Sequence, residues 1–116
     1  MTQVYLTQCG SFTASHGHNG SLAEAPHPHT FTYEITFHGP LNDEGYLIDF
    51  RVLQDALARK IDTALSEADL NKFFENPTTE TLAVWIFNTV KQQFPQIHSV
   101  KLCEEKDRWV TYTGEQ

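Results

Sequence analysis

The chain has 116 residues, 40% hydrophobic and 20% charged, enough for one compact domain over residues 1–116 and too few for two independent cores. A formal net charge of -7, with the eight Lys and Arg scattered, excludes a nucleic-acid partner, because phosphate binding rests on a basic face. No apolar run approaches the roughly 20 residues of a membrane span, no basic-then-apolar leader opens the chain, and Cys9 and Cys103 lack C-x-x-C spacing. A cytoplasmic protein with unpaired thiols, and with no membrane partner, is expected.

Between Val4 and His16 the even positions Val4, Leu6, Phe12 and Ala14 are apolar, and Gln8 and Gly10 interrupt them, which predicts a strand bulged near Gly10. Residues 11–28, rich in Gly, Ser, His and Pro, read as a loop with flanking strand ends. A second strand follows, with Phe31, Tyr33, Ile35 and Phe37 alternating against Thr30, Thr32, Glu34 and Thr36. The turn cluster Gly39 to Gly45 leads to Asp49, a good N-cap. Phe50, Leu53, Leu57, Ile61 and Leu65 then form an apolar stripe, predicting a helix from about Phe50 to Leu65. A second helix starts with Thr78 as cap and Glu80 in its first turn, buries Leu82, Ile86, Val90 and Phe94, and stops at Pro95. The tail alternates as Val100, Leu102 and Glu104, then as Trp109, Thr111 and Thr113 or its opposite face, Val110 and Tyr112. The order is ββααββ, an α+β fold whose simplest form is a four-stranded antiparallel sheet with two helices on one face. Its open edges predict pairing with further subunits.

His27 and His29 are two apart at the entry to the second strand, so extended backbone points both to one side. Antiparallel pairing brings His16, at the end of the first strand, beside them. Three imidazoles suit zinc and leave a fourth position open, the pattern of a catalytic ion. A histidine-rich surface loop without metal accounts for the same spacing. His18 competes with His16, which is preferred because it continues the parity of Phe12 and Ala14; His38 and His98 stand alone at element ends.

Ser11-Phe12-Thr13-Ala14-Ser15-His16 followed by His27-Pro28-His29 resembles the zinc motif of the 6-pyruvoyl tetrahydropterin synthase and 6-carboxytetrahydropterin synthase family. Gly45-Tyr46-Leu47-Ile48-Asp49-Phe50, Leu70-Asn71 and Asn76-Pro77-Thr78-Thr79-Glu80 resemble further motifs of that family in the same order. The resemblance implies the tunnelling fold, with subunit sheets joined into a trimeric barrel, two trimers stacked as a homohexamer, and substrate sites between subunits. It implies zinc on His16, His27 and His29, and a pterin whose guanidine-like edge is gripped by Glu104. The parity of Glu104 with Val100 and Leu102 also turns it inward, where an unpaired carboxylate is costly and a planar donor pair would satisfy it. An ion pair with Arg51, Arg59 or Arg108 would satisfy it as well. Thr78, Thr79 and Glu80 are candidate substrate contacts, although ordinary capping explains them too.

Departures from the family pattern bear on the chemistry. The family's catalytic cysteine stands a few residues before the H-x-H, where this chain has Leu22-Ala23-Glu24-Ala25-Pro26, and Ser66-Glu67-Ala68-Asp69 replaces an Asp-His pair. Glu24 is the candidate general base in the cysteine's place. The resemblance implies a zinc-dependent lyase on 7,8-dihydroneopterin triphosphate or a close relative, as in queuosine biosynthesis. Its alternative is a zinc- and pterin-binding member with lost or altered catalysis, one form of which releases 6-hydroxymethyl-dihydropterin through Glu24. Pterin recognition and zinc binding are expected at opposite ends of the pocket, so that a Glu104 variant keeps its zinc.

Overall fold

The computed structural model describes residues 2–18 and 24–115, and within them the side chains of residues 16–18, 24–27 and 105 lie outside the description. Four antiparallel strands, β1 (Gln3–His18), β2 (Glu24–Pro40), β3 (Ile97–Glu105) and β4 (Arg108–Tyr112), lie side by side in chain order. Helices α1 (Phe50–Leu57) and α2 (Thr79–Lys91) come between β2 and β3, giving ββααββ. The alternation in β2 has its expected cause: Phe31, Tyr33, Ile35 and Phe37 are buried, while Thr30, Thr32 and Glu34 face outward. On that outer face Thr7 pairs with Thr36 at 2.8 Å and Thr13 with Thr30 at 3.0 Å, hydroxyl to hydroxyl across the strands.

The interruption at Gly10 is not a bulge. Register runs unbroken from Gln3 opposite Pro40 to His16 opposite His27, and the shift falls between His16 and His18. Gly10 stands opposite Tyr33, whose ring lies over it, and a Cβ at Gly10 would overlap the phenol. Tyr33 is 2% exposed, and its hydroxyl donates to Asp62 Oδ1 at 2.7 Å. Burial first, and then the Asp62 hydrogen bond and charge, raise the phenol far above the ordinary tyrosine pKa of 10.0.

Asp49 caps α1 as expected, accepting from Arg51 N–H at 2.9 Å. The stripe departs from expectation at its first residue, and the helix that carries it departs in its second half. Phe50 is 62% exposed, and after Leu57 the helix widens into a π-helical turn, Ala58–Thr63. Leu53, Leu57, Ile61 and Leu65 are each four apart, which overshoots a 3.6-residue turn; a wider turn takes up the excess and keeps Ile61 and Leu65 inward. It also carries Asp62 to Tyr33. In α2, Leu82, Ala83, Ile86, Phe87 and Val90 are buried, and Phe94 packs below the helix end. β4 turns Val110 and Tyr112 inward, the ring of Tyr112 meeting Phe87 at 5.0 Å, and leaves Trp109 outside. No described helix is long and apolar enough to cross a membrane.

Gly10→Ala should destabilise the protein by about 1–3 kcal/mol in chemical denaturation, the cost of overpacking a close contact. Because the folded-state pKa of Tyr33 is raised, its contribution is present below the unfolded value of 10.0 and lost as pH climbs past it. Tyr33→Phe should therefore be less stable than the parent at neutrality and lose less stability between neutral pH and strongly alkaline pH, measured by urea unfolding across that range.

Candidate active site and metal site

Beyond the Phe12–Phe31 pair, stacked at 5.1 Å, the β1–β2 ladder sets Ala14 opposite His29 and His16 opposite His27. All three histidine positions therefore share the parity of the buried face. Their backbones are in strand; the side chains of His16, His18 and His27, and that of Glu24, which pairs with His18 across the register shift, lie outside the described residues. His29 is described and half-buried, its ring edge-on to Phe31 at 6.2 Å.

Glu104 follows Val100 and Leu102 onto the same face, at a bulge between Cys103 and Glu105. One carboxylate oxygen lies 3.2 Å from His29 Nδ1, and the other accepts from the Thr79 hydroxyl at 2.8 Å. Side-chain exposure is only 15% for His29 and 20% for Glu104. Thr79 is the first residue of α2, so the head of that helix, the first third of β2 and the end of β3 converge on one carboxylate. Glu104, expected at the opposite end of the pocket from the candidate zinc ligands, instead touches one of them, His29. Parity alone put both residues on the core face, but their contact depends on the β2–β3 register, Thr32 opposite Cys103, which no local pattern encodes.

The arginines proposed as ion-pair partners lie elsewhere, Arg51 by Asp49 at 3.5 Å, Arg59 by Asp55 at 3.0 Å and Arg108 by Asp107 at 3.7 Å. Thr78 is the helix cap, accepting from Thr81 N–H at 3.1 Å, and Glu80 is exposed in the first turn. Of the three candidate substrate contacts on α2, the structure brings Thr79 to Glu104.

Both cysteines lie on the other side of the sheet. Cys9 is exposed opposite Glu34, and Cys103 stands opposite Thr32 and Trp109. The segment replacing the Asp-His pair is built into the fold: Glu67, at a positive φ of 59°, donates its N–H to the Thr13 carbonyl, and Ser15 N–H donates to Ala68. Asp69 caps the following turn by accepting from Asn71 N–H at 3.1 Å.

Among the residues whose side chains are described, no three histidine, cysteine, aspartate or glutamate side chains gather as a metal site. The surroundings of His29 nevertheless fit zinc. A neutral imidazole that donates Nδ1–H to a carboxylate has its lone pair on Nε2, and residue 14 opposite is an alanine with little bulk.

Residues 5–115 match the family model of 6-pyruvoyl tetrahydropterin synthase. The chain belongs to this family. It is 35% identical over 88 residues, 73% of each chain, to dihydroneopterin monophosphate aldolase of Pyrococcus furiosus. It is 29% identical over 104 residues, 85% of this chain and 86% of the other, to a putative 6-carboxy-5,6,7,8-tetrahydropterin synthase of Archaeoglobus fulgidus. The fold is that of the Caenorhabditis elegans 6-pyruvoyl tetrahydropterin synthase, with a TM-score of 0.87 at 19% identity over 99% of this chain and 98% of that one. Membership of the 6-pyruvoyl tetrahydropterin synthase family makes this a chain of pterin metabolism and agrees with the ordered motifs of the sequence.

Capping and site contact are separable in this member of the family. Thr78→Ala should cost about 1 kcal/mol of stability in thermal or urea unfolding, as loss of an N-cap does.

Proposed function

We propose that the protein is a zinc-dependent lyase that cleaves the C6 side chain of a dihydroneopterin phosphate by a retro-aldol step and releases 6-hydroxymethyl-dihydropterin. The observation that carries this reading is the placement of both cysteines on the sheet face away from Glu104 and His29. A thiol-based synthase chemistry has no thiol to use, whereas a carboxylate base suffices for a retro-aldol cleavage. The 35% identity to a protein named an aldolase supports the same choice.

Glu104 holds the pterin by its donor edge, since a carboxylate can accept about four hydrogen bonds and this one also meets His29 and Thr79. Thr79, Thr78 and Glu80, at the head of α2, flank that edge. Glu24, preceding the H-x-H, takes the proton of the hydroxyl on the second side-chain carbon. The bond between the first and second carbons then breaks. Its electron pair moves onto the first carbon, conjugated with the C6–N5 imine, and a proton returns there. The second carbon leaves as an aldehyde, glycolaldehyde phosphate for a monophosphate substrate. Zinc on His16, His27 and His29 would supply a Lewis acid for the side-chain oxygens.

The assembly proposed is a homohexamer, with sites completed between subunits. The segment at 67–69 covers β1 only around Thr13 to Ser15, and near the uncovered half Leu41, Tyr46 and Phe50 remain exposed beside a cavity of about 400 Å³. Light scattering should give six subunits, and a monomer of 13.2 kDa would overturn the assembly.

Zinc-loaded protein given dihydroneopterin monophosphate or triphosphate should yield 6-hydroxymethyl-dihydropterin by mass. Glu24→Gln should lower kcat by about 100-fold, within the range for loss of a general base. Formation of 6-carboxytetrahydropterin would replace the aldolase reading with the synthase one. Metal analysis should find about one zinc per subunit, most of it lost in His27→Ala and in His29→Ala but kept in His18→Ala.

A further inference from the structure

We infer that Glu104 is a positioning residue for the metal ligand His29, so that one carboxylate serves both the pterin edge and the zinc centre. The inference rests on the zinc-site reading above and adds to it a residue that is not a ligand. Its basis is a three-member chain through the interior: the Thr79 hydroxyl donates to one oxygen of Glu104 at 2.8 Å, and the other oxygen lies 3.2 Å from His29 Nδ1.

Each link constrains the next. Thr79 opens α2, where the capped backbone fixes its position, so its hydroxyl is an anchored donor. A carboxylate held at one oxygen has its plane largely set, and the second oxygen then meets the imidazole from one side while the Phe31 ring stands edge-on at 6.2 Å. A carboxylate beside Nδ1 requires that nitrogen to carry the proton, which leaves Nε2 to present its lone pair. The negative charge next to the ring also makes Nε2 a stronger donor to a cation, and carboxylate partners of this kind set metal affinity by roughly 10–100-fold. With side-chain exposures of 15% and 20%, His29 and Glu104 are largely screened from water, which would otherwise compete for both groups.

Coupling between substrate and metal follows. A pterin that donates two N–H groups to Glu104 draws on the same carboxylate charge that supports His29, so bound pterin and bound zinc alter each other's affinity reciprocally. Thr79 takes part without touching the ion.

The test measures zinc affinity by competition with a chromogenic chelator, using full-length protein stripped of metal and reloaded. Glu104→Ala should weaken zinc binding roughly 10–100-fold and Glu104→Gln by about 10-fold, while Thr79→Val should weaken it by a smaller factor in the same direction. Asp107→Asn, which changes an exposed carboxylate, should leave it unaltered. In the metal-free parent, nitrogen-detected NMR of the His29 ring should show the Nδ1–H form, and Glu104→Ala should shift it toward the Nε2–H form. Merely structural damage would not produce that tautomer change. A parent that binds zinc tightly while Glu104→Ala and Thr79→Val bind it equally well overturns the inference and leaves the zinc site standing. A parent that binds no zinc overturns the site reading and the inference together.

Discussion

The register between β1 and β2 is the constraint on which the remaining structure depends. In a sheet covered on one side, a slip of one residue would send Phe31, Tyr33, Ile35 and Phe37 to the outer face and bring threonines and Glu34 inward. Two contacts pin it: Phe12 stacks on Phe31, and the Tyr33 ring occupies the space that Gly10 leaves. The same register sets His16 opposite His27 and Ala14 opposite His29. The placement of the candidate ligands is thus a consequence of core packing two to six residues away along the strand.

A second constraint acts at the other end of the chain. Glu104 continues the buried parity of Val100 and Leu102, and a carboxylate brought to that face needs donors to offset its lost hydration. The fold supplies them from distant parts of the sequence, His29 from β2 and Thr79 from α2. A capped helix terminus is well suited to this, because its first turn is rigid and its dipole favours a nearby negative charge. The Thr79–Glu104 contact therefore ties the head of α2 to β3, alongside the apolar face of α2 that packs in the core.

Strands and helix caps were legible in the sequence because their signals are local. The alternation Phe31 to Phe37 and the caps Asp49 and Thr78 each depend on a few neighbouring residues and the backbone geometry they favour, whereas the second helix stops at Lys91, short of the expected Pro95. The reason for Gly10 is not local, because an interrupted alternation looks the same whether a strand bulges or a neighbour's ring needs the space, and that neighbour, Tyr33, is 23 residues away. The π-helical turn escaped because a stripe spaced by four is compatible with a continuous helix, and only the partner Asp62 finds in Tyr33 shows which geometry is used. The His29–Glu104 contact lay beyond reach for the same reason on a larger scale, since strand-to-strand register between β2 and β3 is decided by the whole core.

These constraints fall unequally on the parts of the proposed chemistry. His29, Glu104 and Thr79 lie on regular elements and are tied to one another, so a change at any of them disturbs the contacts among all three. Glu24 stands at the first residue of β2, beyond the register shift and outside the run of core pairs that begins at Phe12 and Phe31. A base in that position can be exchanged, thiol for carboxylate, with little cost to the core. In the proposed reading the reacting group changes while the candidate zinc and pterin residues stay, a division in which the fold would let the reaction change and the substrate class remain.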